Sequence, residues 1–245
     1  MRSIVIIPTY NERENLGPLV AAVLTADAAL DILVVDDNSP DGTGAIADDL
    51  ARRTGRIRVL HRPGKAGLGA AYLAGFAHAL DRDYECILEM DADFSHDPAD
   101  LSRLLAPVRA GRADLVLGSR WVAGGGTRGW PLRRRLISQG GSCYARAIVG
   151  VAVRDLTGGF KCFHRRMLER LDLGAVRASG YGFQIELTYR ALQIGSRVLE
   201  VPIVFTERRC GQSKMSGRIV AEALAMVWRL RFGRPAPRVA GGVAR

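Results

Sequence analysis

Short, continuous apolar runs alternate with amphipathic stretches through the first half of the chain, and this alternation restricts the fold more than any other feature. SIVIIP (3–8), DILVVDD (31–37), RIRVLH (56–61), YECILEMD (84–91) and DLVLGS (114–119) have the length and apolar continuity of strands. Between them, ENLGPLVAAVL (14–24), DGTGAIADDLARR (41–53), GLGAAYLAGFAHAL (67–80) and PADLSRLLAPVRAG (98–111) have helical spacing. A strand apolar on both faces needs cover on both faces, so the pattern predicts an α/β fold with a mostly parallel central sheet between helical layers. Ligands of such sheets bind beyond the carboxyl ends of the strands. The residues to read closely are therefore 8–12, 36–39, 91–96 and Arg120.

The rhythm breaks after Trp121. VAGGGTRGWP is a glycine-rich loop, 132–150 a basic and mostly helical segment, and DLTGGF (155–160) a turn. A helix over 182–195, a strand over 196–205, a polar loop over 206–217 and an amphipathic helix over 218–232 follow, before a flexible basic tail over 233–245. No repeat or composition break divides the chain, so 1–232 reads as one domain, with 1–119 and 120–232 as its halves.

Charge separates those halves. Of 35 basic and 25 acidic residues in all, residues 1–119 hold 12 basic and 18 acidic, 120–170 hold 11 and 2, and 206–245 hold 9 and 2. A basic second half points to an anion: nucleic acid, an anionic membrane surface or a phosphorylated substrate. Cys86, Cys143, Cys162 and Cys210 lack paired spacing, which argues against a zinc site or a disulfide scaffold and for a reducing cytoplasm. The N-terminal apolar run is too short for a secretory signal, and no run of about 18 apolar residues is present to cross a bilayer.

Asp91-Ala92-Asp93 follows a strand directly, placing two carboxylates where they can converge on one hard divalent cation that bridges a diphosphate. Ser95 can add an oxygen. His96 is a candidate ligand, although a lone loop histidine is more often a surface residue, and Asp97 suits the cap of the next helix. Asp36 and Asp37 end the second strand; one carboxylate serves the NSPDGT turn, and a second can accept hydrogen bonds from a ribose or base. Tyr10 and Glu12 in PTYNE can stack on and hydrogen-bond a base. GKAGLG (64–69) has neither the order of a phosphate-binding loop nor that of G-x-G-x-x-G and reads as an ordinary turn, which argues against a P-loop nucleoside triphosphatase and against a dinucleotide-dependent dehydrogenase.

PTYNERENL, VVDDNSPDGT, EMDADFSHDP, LGSRW, WPLRRRLIS, TGGFKCF, SGYGFQIEL and FTERRCGQSKM, in this order across 1–217, resemble polyprenol-phosphate mannosyltransferases of the family-two glycosyltransferases. The resemblance implies the glycosyltransferase A fold and inverting transfer of mannose from GDP-mannose to a dolichyl-type polyprenyl phosphate. It implies that Pro8, Tyr10, Glu12, Val35 and Asp37 contact guanosine, and that Asp91, Ala92 and Asp93 surround the diphosphate. Asp91, Asp93 and Ser95 would hold Mg²⁺ or Mn²⁺, with Ser95 where relatives often carry glutamine. Arg120, Arg208 and Lys214 would hold the donor diphosphate, the acceptor phosphate or both, and Arg134 and Ser138 the acceptor phosphate.

An acceptor phosphate is already anionic, so it needs positioning and charge neutralisation more than a strong base. The resemblance thus implies that Asp91, Asp93, Arg120 and Arg208 carry the catalysis. The helix over 218–232 and the basic segments suit a peripheral position at the cytoplasmic face of a membrane, alone or with a small membrane-protein partner. The close rival is a prenyl-phosphate glycosyltransferase using UDP-glucose or another nucleotide sugar. A basic nucleic-acid-binding or lipid-binding module without catalysis leaves the paired aspartates unexplained, so no nucleic acid is expected as partner.

Overall fold

The computed structural model describes residues 1–176, 178, 180–207 and 226–232. The first strand, β1 (Ser3–Thr9), is buried along both faces and runs parallel to β2 (Leu30–Asp36) on one side and β4 (Cys86–Glu89) on the other. β3 (Ile57–His61) lies parallel outside β2. On the other flank stand β7 (Lys161–His164), β5 (Leu115–Ser119) and β8 (Val198–Pro202), giving the order β3-β2-β1-β4-β7-β5-β8. β5 and β8 are parallel; β7 alone runs antiparallel, between β4 and β5. A second, two-stranded parallel sheet pairs β6 (Gly126–Arg128) with β9 (Val204–Thr206).

The alternation of side chains along each strand builds two cores, one per face. Ile4 and Ile6 of β1, with Leu33 and Val35 of β2, pack under α3 (Leu68–Leu80), α5 (Leu132–Val149), α6 (Arg165–Arg170), α7 (Tyr181–Gln193) and residues 226–232, which are helical. Val5 and Ile7, with Ile32 and Val34, pack under α1 (Arg13–Ala26), α2 (Thr43–Arg53) and α4 (Leu101–Arg109). α3 lies close on β1 because position 75 has no side chain: a Cβ there would stand 2.6 Å from Cγ2 of Ile6.

The expected α/β fold with a mostly parallel sheet is present, and each strand and helix read from the first half forms. Four features of the second half differ. β6 arises within the glycine-rich stretch, β7 and α6 follow the expected turn, and the single strand expected over 196–205 divides into β8 and β9. At the division, Ile203 N–H donates to Ser119 O (3.0 Å) while Ile203 O accepts from Gly126 N–H (3.0 Å), so this residue joins the two sheets. Of the helix expected over 218–232, residues 218–225 lie outside the described residues, as do the tail and Cys210. No described helix is long and apolar enough to cross a membrane.

Candidate functional site

The loops after β1, β2 and β4 open into one cleft of about 610 Å³. Each contains a non-glycine residue in the left-handed region, Asn11 (φ 61°), Asn38 (φ 57°) and Phe94 (φ 60°), a conformation that costs energy and concentrates at ligand sites. Pro8, Tyr10, Glu12 and Asp37 line the cleft at the ends of β1 and β2. Asp91, Ala92, Asp93 and Ser95 line it beyond β4, Arg120 beyond β5, and Arg134 and Ser138 from α5. Eleven of the residues singled out in the sequence thus meet in one place. Val35 does not line it: its side chain is fully buried in the core under α3. Arg208 and Lys214 lie outside the described residues.

The adjacent aspartates of β2 divide their work. Asp36 is buried and accepts from Thr9 Oγ1 (3.0 Å), Ser39 N–H (3.1 Å) and Ser39 Oγ (2.6 Å), tying the first two loops together. Asp37 faces the cleft and accepts from Arg62 Nη1 at 2.5 Å. Burial raises the Asp37 pKa above the ordinary value, with Arg62 opposing the shift. The GKAGLG turn contributes more than expected: Lys65 Nζ sits 4.2 Å from the centre of the Tyr10 ring, and Lys65, Gly67 and Leu68 all line the cleft.

At the end of β4, Asp91 Oδ1 accepts from Tyr72 Oη (3.3 Å), and burial among the neighbouring carboxylates drives the Tyr72 pKa well up. Ser95 donates both its backbone N–H (3.0 Å) and its hydroxyl to Asp93 Oδ1. Ser95 is thereby an orienting partner of Asp93. His96 is not a surface residue. It is 1% exposed, stacks on Phe160 with ring centres 4.7 Å apart, and accepts the Asp91 backbone N–H at Nδ1 (3.3 Å). Burial lowers its pKa to about 4, so the imidazole is neutral at pH 7. Asp97 caps the following turn through Ala99 N–H (3.0 Å), as expected. Among the described residues no group of three or more His, Cys, Asp or Glu is placed to hold a metal ion. Two hard carboxylates facing a cleft nevertheless fit a divalent cation of the kind that takes one or two carboxylates and draws its other ligands from phosphates and water.

Arg120 follows β5 and is 6% exposed. Its Nε and Nη2 meet the Asp155 carboxylate at 2.7 and 2.6 Å, a bidentate pair that sequence reading missed because the partners lie 35 residues apart. On α5, Arg134, Ile137, Ser138, Gly141, Tyr144 and Ala145 face the cleft, a spacing of three and four residues that forms one helical stripe. Arg134 stacks 4.2 Å from the centre of the Trp130 ring and pairs through Nη1 with both Glu207 oxygens (2.6 and 2.5 Å). Ile137, Tyr144, Ile185 and Val227 add apolar lining to the cleft. The cleft thus combines aromatic and carboxylate groups, a pair of hard carboxylates, arginines and an apolar lining.

Beneath the aspartates, Glu89 of β4 faces Lys161 of β7 in register, both fully buried. Lys161 Nζ donates to Gln184 O (3.0 Å) and Oε1 (2.5 Å). Burial pushes Glu89 up to about 8 and Lys161 down to about 8.

Residues 4–172 match the family described as Glycosyl transferase family 2. A protein of Mycolicibacterium smegmatis described as polyprenol monophosphomannose synthase is 54% identical over 233 residues, covering 94% of this chain and 88% of its own length. Another, from Micrococcus luteus, described as undecaprenyl-phosphate mannosyltransferase, is 49% identical over 229 residues, covering 94% and 93%. Among solved structures, glucosyl-3-phosphoglycerate synthase of Mycobacterium tuberculosis in complex with phosphoglyceric acid superposes with a TM-score of 0.68 at 20% identity, covering 96% of this chain and 82% of that one. Its complex with Mn²⁺, UDP-glucose and phosphoglyceric acid gives a TM-score of 0.67 at the same identity and coverage. At that identity the likeness establishes the shared glycosyltransferase A architecture.

Proposed function

Since the chain belongs to glycosyltransferase family 2, we propose that it transfers mannose from GDP-mannose to a polyprenyl phosphate with inversion, giving polyprenyl β-mannosyl phosphate and GDP. The observation that carries this reading is the meeting of three sets of groups in one cleft: Tyr10 and Asp37, Asp91 and Asp93, and the cationic and apolar stripe of α5. The relatives at 54% and 49% identity, described as a polyprenol monophosphomannose synthase and an undecaprenyl-phosphate mannosyltransferase, support the sugar and the acceptor class. Residues 1–119 serve the donor and 120–232 chiefly the acceptor, within one domain.

Pro8, Tyr10, Glu12 and Asp37 receive the guanosine. Val35 supports them from the core. Asp91 and Asp93, with Ser95 orienting Asp93, hold Mg²⁺ or Mn²⁺, which when bound neutralises diphosphate charge that builds as GDP leaves. Arg120, with Arg208 and Lys214, holds phosphate oxygens. Arg134 and Ser138 receive the acceptor phosphate, which replaces the Glu207 carboxylate on Arg134. An acceptor oxygen held opposite the leaving group attacks mannose C1; the C1–oxygen bond to GDP breaks, and the anomeric configuration inverts. The acceptor is anionic throughout, so orientation and charge neutralisation supply the acceleration and no proton need be removed.

The lipid chain places this chemistry at a membrane surface. Leu132, Leu136 and Ile137 of α5 are 69%, 59% and 47% exposed among Arg133, Arg134 and Arg135, and Trp228 and Phe232 are 49% and 70% exposed on the helical residues 226–232. Exposed apolar side chains edged by arginine suit the interface of an anionic bilayer. Such a surface belongs to the cytoplasmic face, with a small membrane-protein partner as a further contact.

The testing experiment follows radiolabelled mannose from GDP-mannose into a short polyprenyl phosphate in detergent, with and without Mg²⁺ or Mn²⁺ and with UDP-glucose as competing donor. Metal-dependent mannosyl lipid is the expected product. An inert GDP-mannose beside a reactive UDP-glucose would overturn the donor assignment.

A further inference from the structure

The proposed reaction uses Arg120 and leaves unexplained the side chain that grips it. Asp155 is fully buried. Its Oδ2 accepts from the Arg120 backbone N–H (2.9 Å) and from Nε (2.7 Å), while Oδ1 accepts from Nη2 (2.6 Å). Nη2 also donates to Thr157 Oγ1 (2.8 Å), and the rings of Trp121, Trp130 and Phe205 have their centres 5.3, 5.6 and 5.5 Å from the guanidinium carbon. The turn that carries Asp155 is itself anchored, since the N–H groups of Arg154 and Asp155 donate to the two oxygens of Glu200 on β8 (2.8 and 3.0 Å). On its other side, Thr157 Oγ1 lies 3.2 Å from Ser142 Oγ of α5.

A buried ion pair adds little net stability over an apolar pair of the same volume, because desolvating both charges offsets their attraction. What this pair supplies is a single orientation. With Nε and Nη2 taken, Nη1 is the guanidinium nitrogen that makes no hydrogen bond among the described residues, and Arg120 lines the cleft. We infer that Asp155 is a positioning residue for the transfer: it fixes the Arg120 guanidinium so that Nη1 meets a substrate phosphate. Through Thr157 and Ser142 it keeps that guanidinium in register with the helix bearing Arg134 and Ser138. This rests on the reading that Arg120 holds a phosphate. It has a distinctive consequence, because Asp155 cancels the charge of Arg120 and the arginine then contributes direction more than net attraction. Asp155→Asn restores the net positive charge and removes the fixed direction, so ground-state binding survives while transition-state alignment does not.

The test compares Asp155→Asn, Arg120→Ala, the double variant and Thr157→Val by steady-state transfer and thermal unfolding. Asp155→Asn is expected to lower kcat roughly 10- to 100-fold, the scale of a misplaced positioning group, with KM for the donor within about threefold. The double variant should unfold at a higher temperature than Asp155→Asn, because no buried charge is left unpaired, yet transfer no more slowly than Arg120→Ala alone. Thr157→Val should keep its thermal midpoint and show a smaller loss in kcat.

Wild-type kcat in Asp155→Asn, beside an inactive Arg120→Ala, would overturn this inference and leave the reading of Arg120 standing. A double variant slower than Arg120→Ala by the full Asp155→Asn factor would also overturn it, since Asp155 would then act independently of Arg120. Normal turnover in Arg120→Ala removes the phosphate role of Arg120 and this inference with it. Should Asp155→Asn fail to fold, an unaltered kcat in Thr157→Val decides against the inference.

Discussion

Asp93 and Ser95 show how much a single hydroxyl can decide. Asp93→Ala is expected to abolish most transfer, by roughly 100-fold or more, with the circular dichroism spectrum unchanged, because the carboxylate stands at the cleft and outside the packed core. Ser95→Ala removes the hydroxyl that orients Asp93 and should weaken apparent Mn²⁺ affinity about 10- to 100-fold, the usual cost of losing an orienting partner; titration of turnover against Mn²⁺ measures it. Asp37→Asn, by weakening the contacts with Arg62 and the nucleoside, should raise KM for the donor while leaving kcat within about twofold. The aspartates were legible in the sequence because each follows a strand, and a parallel sheet sends every such residue to one edge. Their holders were not. Arg62 reaches Asp37 from 25 residues away and Tyr72 reaches Asp91 from 19, as Asp155 reaches Arg120 from 35, and no local spacing marks such contacts. His96 was misread for the related reason that its burial comes from Phe160 and Phe205, both far along the chain.

At the scale of elements, close approach and tethering give two predictions. Gly75→Ala places a methyl group against Ile6 and should lower stability by about 1–3 kcal/mol in urea unfolding, since neither α3 nor β1 can shift without repacking both. Arg197 ties the start of β8 to the residue before β5: its N–H, Nε and Nη2 all donate to Asp114, and its Nη1 to Gly111 O. These hydrogen bonds hold the Asp114 carboxyl below its ordinary pKa. A carboxyl depressed in the folded state binds its proton first in the unfolded state, so its stabilisation is present above pH 3.8 and is lost as pH falls through the folded value. Asp114→Asn should accordingly lower the thermal midpoint at pH 7, with the difference from wild type shrinking as pH falls through the folded value. The strands of the first half were readable because they are long, apolar and regularly spaced. KCFH was not, being four residues with a charged or polar group at each end, and neither was the break at Pro202-Ile203, where an apolar run continues across a change of sheet.

For the whole molecule, the exposed Leu132 and Leu136 of α5, which do not line the cleft, should matter only when a bilayer is present. Leu132→Asp combined with Leu136→Asp is expected to reduce co-sedimentation with vesicles containing anionic phospholipid and to slow transfer to a long polyprenyl phosphate in those vesicles. Transfer to a short, detergent-dispersed acceptor should remain within about twofold of wild type, since both side chains point away from the site. Equal losses in both assays would place these leucines in the site itself. The antiparallel strand has a different reach. β7 stands between β4 and β5, so a ribosome that has released residues 1–119 has made β5 without either of its sheet neighbours, β7 and β8. Residues 1–119 complete β3-β2-β1-β4 and leave β5 unpaired until β7 and β8 follow. A gene divided at that boundary would yield a first fragment carrying an unpaired apolar strand, an edge open to aggregation until its complement arrives.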